Sequence, residues 1–288
     1  MSHSERNGLE AFLGAHATAA ISVSAKKVFF IIIGLLSVLY TKAENGSRLW
    51  LRYDTLKTAK VSGYEGKAAE ILRLYYPGNE VTLTIDNSMN ANDGYAISIN
   101  NGNAKINSAT EKGLIYGAFA LLRGETGTSA PFFSLRILNH WDNIDGSIER
   151  GYAGESIFWN EQLEINHNLI DAYAMANASI GINGTVLNNV NASPKMLTPE
   201  YINKVKEIAD ILRPWGIRVY ISVNFGSPKA LGDLDTADPL NRKVKRWWKQ
   251  KAKEIYALIP DFGGFLVKAN SEGQPGPFDY NRTHADGA

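Results

Sequence analysis

At 288 residues, 44% hydrophobic and 20% charged, the chain has material for one large domain or two ordinary ones around a sizeable core. A net charge of +1 excludes a global field that would draw it to nucleic acid or to an anionic membrane. The absence of cysteine excludes a disulfide framework, thiolate metal ligands and a thiol nucleophile.

The first recognisable segment is apolar. Lys26 and Lys27 precede VFFIIIGLLSVLY at 28–40, and Thr41-Lys42-Ala43-Glu44 follows. Positive charge, a short apolar run and a small residue at a plausible cleavage point form a signal-peptide pattern. The run is shorter than the about 20 residues a bilayer-spanning helix needs. Residues 1–43 therefore read as leader and signal peptide. The remainder reads as exported, periplasmic or extracellular, with no membrane contact after cleavage; a membrane anchor is the rival.

From 44 to 133 the pattern predicts an N-terminal α+β domain. Residues 66–74 have helical periodicity and VTLTI (81–85) reads as a strand. GYAISI (94–99) faces AKIN (104–107) across Asn-Asn-Gly-Asn, a hairpin signal. Ser108 and Glu111 suggest a capping box for a helix whose apolar face is Leu114, Ala118, Leu121 and Leu122, ending at Gly124. GETGTSAPF (124–132) reads as a linker.

After 134 the rhythm changes to strands alternating with helices. LRILNHWDN (135–143), INGTVLNNVN (182–191), IRVYISVNFG (217–226) and GGFLVKANSEG (263–273) each lose apolar character at their C-terminal end. Between them lie helical stretches at 163–178, after Thr198-Pro199 (apolar face Ile202, Val205, Ile208, Ala209 and Leu212) and at 238–258. Such alternation predicts parallel βα units, in an open doubly wound sheet or a (β/α)8 barrel. The strands end in Asn, Asp, Trp and Glu rather than in glycine-rich phosphate loops, which favours the barrel, whose active site lies on that face. A whole barrel needs about 250 residues. The fold class is thus α/β: an N-terminal α+β domain (44–133) followed by the first half of a (β/α)8 TIM barrel (134–288).

Glu272 is the leading candidate for chemistry. A carboxyl group at a strand end serves as a general acid if its surroundings raise its pKa. Lys268, four residues earlier in an extended segment, lies on the same side of the chain and would hold an anionic substrate group; a surface ion pair between the two is the plainer alternative. Trp141 offers an aromatic face for a sugar ring or a plug for the barrel mouth. Asn139, Asn188, Asn189 and Asn191 offer donors and acceptors suited to hydroxyl groups, or to turns. NRKVKRWWKQKAK (241–253) is basic, but Val244, Trp248, Ala252, Ile255 and Ile259 recur at helical spacing, so its charges fill a solvated face. His140 and His284 show no metal-ligand spacing.

Three stretches carry more specific information: RILNHWDNIDGSIERGYAGESIF (136–158), VLNNVNA (186–192) and GFLVKANSEGQPGPFDYNRTHADGA (264–288). Together they resemble the α-glucuronidases of glycoside hydrolase family sixty-seven. The resemblance implies an inverting enzyme that releases glucuronic acid, often 4-O-methylated, from its α-1,2 link to xylose in glucuronoxylan-derived oligosaccharides, with no metal and no other cofactor. It implies that Glu272 is the catalytic acid, that Lys268 belongs to the uronate pocket, and that Trp141, Asn189 and Val190 line the sugar site. In that family the general base comes from later barrel strands and the full-length protein forms a homodimer. The 288-residue chain is accordingly expected to be inactive alone; a non-catalytic glycan-binding remnant is the alternative.

Overall fold

Apolar and polar residues alternate in EVTLTI and NAKINS, and that alternation sets the first sheet. In the computed structural model, which describes residues 50–90, 92–151 and 154–287, strands β2 (Glu80–Ile85) and β4 (Asn103–Ser108) bury Val81, Leu83, Ala104 and Ile106 and turn Thr82 and Lys105 to water. The expected hairpin joins β3 (Tyr95–Asn100) to β4, with Asn101 at φ 49° and Gly102 at φ 80° in the turn. With β1 (Lys60–Gly63) and β5 (Gly127–Ser129) the order is β1-β2-β4-β3-β5; β3 runs antiparallel to both neighbours and the other pairs are parallel. Helices α1 (Lys67–Tyr75) and α2 (Glu111–Leu122) supply the rest of this core through Ile71, Leu72, Leu114, Ala118 and Phe119.

Two local expectations change. The N-cap of α2 is Thr110, whose hydroxyl accepts from Gly113 N at 3.0 Å. Ser108 instead donates to Gly94 O at 2.6 Å, fully buried, because its position at the end of β4 commits it to the sheet. The presumed linker 124–132 contributes β5, whose pairing with β3 outweighs the weak strand preference of Gly-Thr-Ser.

The second sheet is wholly parallel, in the order β6 (Ile137–Asn139), β7 (Gly184–Val186), β8 (Arg218–Asn224), β9 (Gly264–Lys268). Helices α3 (His167–Ser179), α4 (Pro199–Leu212) and α5 (Arg242–Leu258) lie between successive strands in the chain. α4 buries all five residues of its expected apolar face. α3 begins later than its periodicity suggests: Leu163 sits at φ 54°, and the Asn166 side chain caps the helix by accepting from Leu169 N at 3.1 Å. α5 likewise starts at its Asn241 cap, and Arg242, Lys243, Lys245, Arg246 and Lys249 face water as expected.

Strand register places Asn139, Val186, Tyr220 and Gly264 in one row across the sheet, and Asn224 beside Lys268 four rows further on. The Tyr220 ring needs the glycines around it: a Cβ on Gly263 would stand 2.3 Å from it and one on Gly184 2.8 Å. At the C-terminal edge, buried Asn188 accepts from Ser222 N at 2.8 Å and donates to Ser222 O at 3.1 Å, locking the β7 end to β8. That edge is where the polar strand ends collect. Among the described residues no helix is long and apolar enough to cross a membrane; the signal-like segment 1–43 lies outside the described residues.

Candidate functional site

The loop after β6 is pinned from beneath before it presents anything. Ser156 Oγ donates to Asp142 Oδ2 at 2.5 Å and accepts from Phe158 N and Trp159 N at 3.1 and 3.0 Å. Trp159 Nε1 donates to Leu187 O at 2.7 Å. The rings of Phe158, His140 and Tyr173 meet edge to face, with centroids 4.9 to 5.5 Å apart. His140 Nε2 bonds the Tyr173 hydroxyl at 2.8 Å, and that hydroxyl bonds Thr185 Oγ1 at 2.9 Å. Burial pushes the Tyr173 phenol up to about 12, so it stays a neutral hydroxyl.

On this base stands a closed ring of charged and amide groups. Glu149 accepts from Asn189 Nδ2 at 2.5 Å and from Asn191 Nδ2 at 3.2 Å. Asn191 Oδ1 accepts from Lys268 Nζ at 2.7 Å. Lys268 also donates to one oxygen of Glu272, and Arg150 donates to the other. Because Glu149 and Arg150 are consecutive, the chain itself completes the circuit. The Arg150 guanidinium also lies over the Trp141 ring, 5.2 Å from its centroid. Asn224 Nδ2 links the two strand-end loops, donating to Ala192 O at 3.0 Å and to Gln274 Oε1 at 2.9 Å.

Four of the five site residues expected from the sequence thus belong to one network, and the fifth, Val190, is half-buried in the loop that carries Asn189. Their roles differ in detail. Asn189 is buried; its Nδ2 also donates to Asn143 Oδ1 and its Oδ1 accepts from Asn191 N. It orients the loop rather than offering free polar atoms. Trp141 turns a face to a cation. Glu272 departs most clearly from expectation. Its side chain is 45% exposed, and the Lys268 ammonium bonded to it, followed by the charge of Arg150, holds its carboxyl below the usual carboxylate range. The two cations lower the value by more than its slight burial raises it, where a donor of protons needs it raised.

The sign gives a direct test. In Lys268→Met the carboxyl is expected to titrate at higher pH than in the parent chain, because the larger of the two cationic influences is gone. Carbon-13 NMR of the Glu272 side chain reads this, and an unmoved or lowered midpoint contradicts the ion-pair description.

Sequence reasoning missed Glu149 and Arg150 as site residues. A Glu-Arg dipeptide in a polar loop is ordinary surface composition, and its contacts lie 42 and 122 residues away. The signal that could have found them is their place inside the stretch 136–158. Both Arg150 (φ 60°) and Glu272 (φ 49°) hold the left-handed backbone conformation, which a non-glycine residue adopts at a cost of about 1–3 kcal/mol and which clusters at functional sites. Two cations flanking one carboxylate can bind an anionic group, and the exposed carboxyl can exchange a proton.

Cavities also lie off this ring, two of which border the second sheet or the loop that follows β6. One of about 580 Å³ sits between the sheet and α5, against Val223, Phe265, Val267 and Trp248. The other, about 660 Å³, is walled by the loop from Asp145 to Asn166.

Residues 121–288 match the model of the glycosyl hydrolase family 67 middle domain. The chain is 46% identical over 211 residues to an alpha-glucuronidase of Hypocrea jecorina, an alignment covering 68% of this chain and 25% of that protein. It is 48% identical over 206 residues to a probable alpha-glucuronidase A of Neosartorya fischeri, covering 68% and 24%. The chain therefore spans about a quarter of the length of these curated relatives. Among solved structures, a family GH138 enzyme targeting pectin rhamnogalacturonan II superposes with a TM-score of 0.50 at 14% identity, over 73% of this chain and 30% of that one. At such identity the likeness is one of fold.

Proposed function

Because this chain belongs to glycosyl hydrolase family 67, we propose that it is the acid-bearing part of an inverting α-glucuronidase that releases (4-O-methyl)glucuronic acid from α-1,2-substituted xylo-oligosaccharides. The observation that carries the reading is the placement of Glu272 and Lys268 together at the C-terminal end of β9, beside the loop that holds Trp141. Glu272 protonates the departing xylose oxygen. Lys268, whose side chain is only 14% exposed, meets the uronate carboxylate. Trp141 and Val190 bound the sugar, and Asn189 holds their loops in register. A second carboxylate, about 6.5–9.5 Å from Glu272 as inversion requires, activates water on the opposite face of the ring.

Within the same proposal, residues 44–133 form the N-terminal domain and 134–288 the first half of a (β/α)8 barrel. The apolar side chains that its two outer strands turn outward support this: Ile137 on β6 is 36% exposed and Val267 on β9 48%. In a closed barrel neighbouring strands cover such edges. The signal-like leader supports export to the periplasm or the medium. A sugar-binding remnant without catalysis is the second reading, favoured by the ion pair that keeps Glu272 charged.

The test joins residues 44–288 to the remaining length of the Hypocrea jecorina relative and follows an aldouronic acid by proton NMR. Release of glucuronate appearing first as the β-anomer is the expected result. The α-anomer first would indicate retention, and tight binding without release would establish the remnant.

A further inference from the structure

Arg150 is the cation of this site that the family reading does not use. It reaches one Glu272 oxygen while Lys268 reaches the other, so that a single carboxylate is held between an ammonium and a guanidinium. That is the recognition pattern expected for a sugar carboxylate: a forked planar donor and a point charge. The arginine is not placed by accident of a loose side chain. Its backbone is left-handed, its guanidinium lies over Trp141, and its neighbour Glu149 is bonded to Asn189 and Asn191. The aromatic ring beneath it is also the one proposed to border the sugar.

Resting on that reading, we infer that Arg150 and Lys268 form a two-cation seat for the uronate carboxylate, which Glu272 holds until the sugar displaces it. The exchange has a chemical consequence. Once the sugar carboxylate engages both cations, Glu272 loses the groups that keep it ionised and gains an anion nearby, so it takes a proton from water. Binding of a uronate thereby arms the acid, and a neutral hexose, bringing no carboxylate, leaves it unarmed. Selectivity for acidic sugars then operates on the proton donor as well as on affinity.

The experiment titrates the 288-residue chain with D-glucuronate and, separately, with D-glucose, reading dissociation constants from nitrogen-15 NMR spectra that also report folding. Glu272→Gln, which removes the internal competitor's charge, is expected to tighten glucuronate binding about tenfold and leave glucose unchanged. Arg150→Gln in that background should give back about the same factor, and Arg150→Lys, which keeps the charge but not the planar fork, should retain only part of it. Unaltered glucuronate affinity in Glu272→Gln, or no loss on adding Arg150→Gln, overturns the seat while leaving a Lys268-based sugar site standing. Failure of the parent and of Glu272→Gln to bind either sugar removes the sugar site itself, and the inference with it.

Discussion

Replacing Glu272 by Gln is expected to slow glucuronate release from an aldouronic acid by about 10²–10⁴-fold in the chain completed with the rest of a family barrel, the range that general-acid assistance commonly supplies. The size depends on the leaving group. A xylose hydroxyl departs poorly as an alkoxide and needs the proton, whereas a nitrophenolate hardly does. The deficit should therefore shrink towards unity with 4-nitrophenyl α-glucuronide. Steady-state rates on the two substrates decide the matter. An equal loss on both would mean that residue 272 positions the sugar or the loop rather than donating a proton, because a positioning defect is indifferent to the leaving group.

The second large effect is on stability. Phe158→Ala should cost about 3–5 kcal/mol, the usual penalty for deleting a buried aromatic ring. Phe158 is 1% exposed and packs edge to face against both His140 and Tyr173. Its loss would leave a void under the loop that carries Trp141, Glu149 and Arg150, and domains hold only about 5–15 kcal/mol in total. Urea unfolding followed by tryptophan fluorescence measures it, with the midpoint falling and the slope constant. A cost below about 1 kcal/mol would show that the loop collapses onto the vacated space.

Much of this was legible because local rules and tertiary packing agree. α4 was readable to the residue, since Ile202, Val205, Ile208, Ala209 and Leu212 recur at helical spacing and a parallel sheet must be covered. The Lys268–Glu272 pair was readable from two-residue periodicity at a strand end. Elsewhere distant contacts decided. Gly127–Ser129 has no strand character of its own and becomes one only through β3. Ser108 has the chemistry of a cap but its hydroxyl is claimed by Gly94 O. Glu149 and Arg150 acquire meaning from asparagines and a glutamate that no local window includes. The lowered Glu272 pKa was legible only in part: Lys268, its leading cause, lies four residues away, whereas Arg150, the second cation, comes from the loop after β6 at the other edge of the parallel sheet.

That separation also bears on how the protein is made. During synthesis Arg150 emerges from the ribosome 122 residues ahead of the glutamate it will hold, a delay of about 6–25 s at 5–20 residues per second. Through that interval Trp141 is the partner already available to it, together with solvent. The last of the four strands is therefore the one that draws the guanidinium into its final bond, and the ring of charged and amide groups closes only as β9 joins the sheet.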